Sequence, residues 1–148
     1  MKLIVPMCGK SSRFPGKPPK WMLPAYDGKP MVYWALSGLK FKKEDLVFAI
    51  LQEHDQKFGV VEGLRNVFGP QTQIIIFEQP TRSQAETVSL TLEKAGINEA
   101  FLVKDSDNSF EVDVSEQTEN YVCVASLNDF DMINPRNKSY VQVDRSGQ

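Results

Sequence analysis

Four short runs of apolar residues, uniform and not alternating, constrain the fold of this chain more than any other feature. They occupy residues 3–5 (LIV), Leu46–Leu51 (LVFAIL), Gln73–Phe77 (QIIIF) and 100–103 (AFLV). A strand that is apolar on both faces is covered on both faces, which is the habit of parallel sheets with helices packed above and below. The stretches between the runs carry helical spacing. Pro30 suits the first turn of a helix, with Met31, Trp34, Ala35, Gly38 and Leu39 expected on one face. Residues 53–68 read as one helix with Phe58, Val61, Leu64 and Phe68 inward, stopped by Gly69-Pro70. Residues 83–94 read as another, offering Val88, Leu90, Leu92 and Ala95 for burial, with Gly96 at its end. A fifth strand is expected at 121–125 and an edge strand at 139–143.

Strands alternating with helices predict an α/β fold: a three-layer αβα sandwich with a mostly parallel, Rossmann-like sheet. The 148 residues suffice for a single domain spanning 1–148. In such sheets ligands bind beyond the carboxyl ends of the strands. That rule selects the loop after Val5, the segment after Phe77 and residues 105–108 after Val103, and predicts that they share one crevice.

The first of these, within the Gly-, Pro-, Ser- and Lys-rich stretch 8–29, is too long for an ordinary connection, and such loops are usually functional. Lys2, Lys10, Arg13, Lys17 and Lys20 all precede Asp27, the first acidic residue, although the net charge is −2. A basic stretch in a mildly acidic protein suits a small anion, not nucleic acid. Cys8 and Cys123 are the only cysteines, too few for a disulfide framework or metal cluster, and point to a reduced, cytoplasmic setting. No apolar run approaches the roughly 20 residues of a membrane helix, and the N-terminal run is too short for a signal peptide.

Each segment carries its own chemistry. In Gly9-Lys10-Ser11-Ser12-Arg13-Phe14, glycine lets backbone approach a ligand and successive N–H groups form an anion nest. The serine hydroxyls, the Arg13 fork and the Lys20 point charge add to it. The run lacks the spacing of a P-loop. In 78–87, the Gln79 amide presents a donor and an acceptor, as a base edge requires, while Thr81 or Ser83 suits a helix N-cap. Asp105 and Asp107 form an Asp-x-Asp pair suited to a hard cation that also binds phosphate oxygens; the same residues also suit a plain turn. His54 reads as a structural histidine at a helix start, Cys8 as a small buried filler, Tyr33 and Trp34 as core, and Trp21 as either core or site.

The opening IVPMCGKSSRFPGKPPKWMLPAYDGKPMVYWAL resembles the N-terminus of the sugar-phosphate nucleotidyltransferase family. Gly9, Ser12, Arg13, Phe14, Pro19, Lys20, Leu23, Pro24, Gly28, Lys29, Pro30 and Met31 match its pattern in order. Ser11 stands where the family has its second loop glycine, and Ser83 stands where glycine is usual in the base-reading stretch. The resemblance implies a fold of the nucleotide-diphospho-sugar transferase type. It implies transfer of a nucleotide from an NTP to a sugar 1-phosphate or similar phosphorylated small molecule, in surface polysaccharide precursor synthesis. By the same resemblance Arg13 and Lys20 are catalytic. Met7, Cys8, Gly9, Lys10, Ser11, Ser12, Gln79, Pro80, Ser83 and Gln84 bind nucleotide, and Asp107 with Asp105 binds Mg²⁺. The family's sugar-binding elements lie beyond Gln148, so the chain is expected to be its nucleotide-binding part, C-terminally truncated, with an exposed sheet edge favouring a homo-oligomer. The competing readings are a glycosyltransferase of related fold and a non-catalytic nucleotide-binding module.

Overall fold

The computed structural model describes residues 1–10, 16–25, 27–113, 119–126, 129, 134, 136 and 140–142. It divides into two units, Met1–Ser115 and Glu116–Gln148.

The first unit holds all four apolar runs as strands: β1 (Lys2–Met7), β2 (Leu46–Leu51), β3 (Gln73–Phe77) and β4 (Phe101–Val103). They form one parallel sheet in the order β3-β2-β1-β4. The helices are α1 (Met31–Ser37), α2 (Gln52–Phe58), α3 (Val60–Phe68) and α4 (Gln84–Ala95). This is the α/β architecture expected, a parallel sheet with flanking helices. β2 is buried at every residue, as its uniform apolar sequence requires, but β3 and β4, at the two ends of the strand order, are not covered on both faces and leave Ile76, Phe101 and Val103 exposed.

Alternate residues of the central strands serve opposite faces. Leu3, Val5, Met7, Leu46, Phe48 and Ile50 pack with Val32 and Leu36 of α1 and Val60, Leu64 and Phe68 of α3. Phe48 and Phe68 form the centre of this layer, their rings 5.1 Å apart. Ala49, Leu51 and Phe77 form a smaller cluster with Cys8, against which Leu90 of α4 packs. The chain therefore runs β1 to β2 to β3 in one direction and returns through α4, on the opposite face, to place β4 beside β1.

Three helical details depart from the expected pattern. Of the expected inward residues of α1, Ala35 and the following Leu39 are buried, but Val32 and Leu36 take the places expected of Met31 and Trp34, which are half-buried. Both sets have helical spacing, and Trp34 instead donates its indole N–H to Asp27 at 3.0 Å. The helix expected over 53–68 is broken at Gly59, which adopts φ +62° and separates α2 from α3. Asp55 accepts from the Val61 N–H at 2.8 Å and so caps α3 from inside α2. On α4 the buried residues are Thr87 and Thr91, while Val88, Leu90, Leu92 and Ala95 are half-buried. Each threonine hydroxyl donates back to the carbonyl four residues earlier, which satisfies it and leaves its methyl free to pack.

In the second unit, residues 121–125 do not form the expected strand. Val122 is 73% and Val124 56% exposed, and Tyr121 and Cys123 are exposed as well, so neither face of the run is buried. Residues 140–142 are likewise outside any strand; Ser139 and Val143 lie outside the described residues. No described helix is long and apolar enough to cross a membrane.

Candidate functional site

The direction of strand progression reverses between β1 and β4. Crevices at such reversals, on the carboxyl side, are where sheets of this kind bind ligands. The segments that follow these two strands are the basic loop and the acidic turn.

Lys20 is aimed by its neighbours. It opens a single 3₁₀ turn, Lys20–Met22, between Pro19 and Trp21, both buried, so its side chain is turned outward. Downstream, Pro24 bridges Pro30 across a tight hairpin closed by Ala25 and Lys29, with Gly28 at φ +81°, and the hairpin delivers the chain into α1. Lys20 Nζ lies 2.9 Å from Asp107 Oδ2, with both side chains a little under half exposed. The turn after β4 thus meets the loop after β1.

The third segment joins at the same turn. Ser83 is the N-cap of α4, accepting from the Glu86 N–H at 3.2 Å. Glu86 in turn accepts from the Arg82 N–H and guanidinium, and the hydrogen bond from Arg82 holds its carboxyl below the usual range. This reciprocal arrangement fixes the entry to α4. It sets Gln84 in the first helical position, where its amide donates to Asp105 Oδ1 at 2.6 Å. Ser83 is therefore the cap that the alternative reading expected, and the loop it caps also reaches the acidic turn. Gln79, exposed, and Pro80, half-buried, lie in that loop before α4.

Other expected residues fall differently. Gly9 and Lys10 are exposed at the start of the basic loop. The side chains of Met7 and Cys8 are buried in the sheet, so only their backbone can face a ligand. Burial pushes the Cys8 thiol up to about 12, which keeps it a neutral filler. Ser11, Ser12, Arg13 and Phe14 lie outside the described residues. His54 is buried in the first turn of α2, edge-on to Trp21 at 6.4 Å between ring centres.

Residue-type reasoning missed Lys104. It is 3% exposed, and its Nζ donates to Asp105 O at 2.9 Å, Asn108 O at 2.8 Å and Asn108 Oδ1. The available signal was a lysine set directly between an apolar run and an acidic turn.

The donor set can be tested against a cation. Among the described residues no group of three or more His, Cys, Asp or Glu side chains converges. Asp105 and Asp107 are both exposed carboxylates on one turn. A cation that keeps several waters and takes its other ligands from phosphate oxygens needs only one or two carboxylates, as Mg²⁺ does. The pair fits that requirement.

A nucleoside-diphosphate-sugar pyrophosphorylase from Vibrio cholerae RC9 has a crystal structure similar to this chain, with a TM-score of 0.50 and 27% sequence identity over 71% of the chain. The chain spans about half, 47%, of the length of that protein. No protein-family profile matches the chain, and no curated protein does.

Proposed function

We propose that this chain binds an NTP and Mg²⁺ at the carboxyl ends of β1 and β4 and serves nucleotidyl transfer to a sugar 1-phosphate or similar phosphorylated small molecule. The observation that carries the reading is the approach of Lys20 to Asp107, 2.9 Å apart, at the reversal of strand order. The likeness to a nucleoside-diphosphate-sugar pyrophosphorylase supports the same reading.

In this reaction a phosphate oxygen of the acceptor bonds to the α-phosphorus of the NTP, and the bond to the leaving pyrophosphate breaks. The attacking oxygen is already ionised, so the site needs alignment and charge neutralisation more than a strong base. Lys20 places its ammonium against the reacting phosphate, while Gly9 and Lys10 offer backbone N–H groups and a second ammonium to the triphosphate. Arg13 grips the departing pyrophosphate, and Gln79 reads the base edge. Asp107 and Asp105 would hold Mg²⁺, which supplies charge neutralisation on phosphate oxygens when bound. An exposed pair such as Lys20–Asp107 is worth about 0–1 kcal/mol. Arriving phosphate and cation can therefore separate its members at little cost.

Pyrophosphate release from each of ATP, CTP, GTP, UTP and dTTP, with Mg²⁺ and a panel of sugar 1-phosphates, tests the proposal. One NTP should support turnover, and Lys20→Ala should lower it by about 100-fold or more without shifting the melting temperature. Undiminished turnover in Lys20→Ala would remove the lysine from the mechanism. NTP binding with no pyrophosphate from any acceptor would overturn the catalytic reading and leave the binding one.

A further inference from the structure

The acidic turn does not shape itself. Asp and Asn turns adopt many conformations, yet this one is organised around a cation from within. Lys104 is the first residue after β4, and its N–H donates to Ile4 O at 3.0 Å, extending the pairing with β1. Its side chain is buried, and the Nζ gathers Asp105 O, Asn108 O and Asn108 Oδ1. The ring of Phe110 lies 4.7 Å from the same Nζ. A buried ammonium is tolerated only with such acceptors around it. Two backbone carbonyls three residues apart, drawn to one point, close the turn, while the side chains of Asp105 and Asp107 remain exposed on it.

We infer that Lys104 is a positioning residue for divalent cation binding: it folds the turn so that the Asp105 and Asp107 carboxylates are presented together. This rests on the nucleotidyl-transfer reading above. Lys104 touches neither cation nor substrate. It acts through the Asp105 and Asn108 carbonyls, which bracket the turn, as hydrogen-bond partners behind metal ligands do. Methionine at this position would keep the apolar stem and the backbone N–H but lose every side-chain donor. The turn would then be free to choose other conformations, with its two carbonyls no longer tied.

The test is a Mn²⁺ titration of the full chain, followed by the spin-resonance signal of free Mn²⁺, with and without NTP, below the melting temperature of each variant. Lys104→Met should weaken Mn²⁺ binding by about tenfold or more, and Asn108→Ala, at an exposed position, should weaken it in the same direction. A purely structural lysine would lower the melting temperature and leave the Mn²⁺ affinity of the folded protein unchanged, which would overturn the inference. If Lys104→Met does not fold, Asn108→Ala decides: unchanged affinity overturns the inference and weakened affinity sustains it. A wild-type chain that binds no Mn²⁺ in either condition defeats the nucleotidyl-transfer reading itself, and the inference with it.

Discussion

At His54 the physical chemistry of one residue sets a pH dependence for the whole fold. Its imidazole is buried, its Nδ1 has no partner among the described residues, and burial pulls its pKa below the ordinary value of 6.5. The unfolded chain therefore holds more protons than the native one at pH values between the lowered pKa and 6.5, so stability rises with pH there. The contribution is complete above the unfolded value and is lost as pH falls through the folded one. The melting temperature should decline from about pH 7.5 to about pH 5.5, and His54→Leu should flatten that decline; an equally steep profile in the variant would show that other groups cause it. The structural role of His54 was legible because it follows a strand end at a helix start. Cys8 as filler was legible from its place beside a buried strand. Trp21 was not, because a tryptophan in a long polar loop carries no periodicity to say which way it faces. Lys104 was missed because residue type argues for exposure, and only the fold supplies the acceptors that make its burial tolerable.

Elements were legible wherever one period dominated. β2 and β3 begin and end where their apolar runs do, although only β2 is buried throughout and β3, at one end of the strand order, leaves Ile76 exposed. The helices were harder. The expected 31-34-35-38-39 set and the observed 32-35-36-39 set at α1 both fit helical spacing and share Ala35 and Leu39, and packing alone decides between them. Gly59 breaks a continuous apolar period because Asp55 offers a cap to the second segment. The apolar run at 121–125 lacks the burial that would make it a strand. Gly38, at the end of α1, shows how one element places another. A Cβ there would stand 2.2 Å from Phe110 O and 2.9 Å from Phe110 C, and Gly38 O accepts from the Val112 N–H at 3.3 Å. The stretch following the acidic turn thus runs directly against the backbone of α1. Gly38→Ala should push it away and cost about 1–3 kcal/mol as an overpacking change, measured by denaturant unfolding. A loss of a few tenths or less would mean that the 110–112 segment relaxes freely. The effect is steric, since Gly38 has an ordinary negative φ of −84°.

At the scale of the molecule, the strand order explains why residues 87 apart in sequence meet. Once β4 returns to lie beside β1, the loop leaving one and the turn leaving the other share an edge. Strand alternation and the carboxyl-end rule were enough to expect this convergence, though not the contacts that make it: Lys20 on Asp107, Gln84 on Asp105, and Lys104 beneath both. Nucleotidyl transfer requires that shared edge to be a site for triphosphate and cation together. Calorimetric titration of the five NTPs, with and without Mg²⁺, into wild type and Asp107→Asn measures it most directly. One NTP should bind wild type more tightly with Mg²⁺ than without, and Asp107→Asn should abolish that gain while remaining folded. Equal binding with and without Mg²⁺, the same gain in Asp107→Asn, or no binding of any NTP would contradict the account.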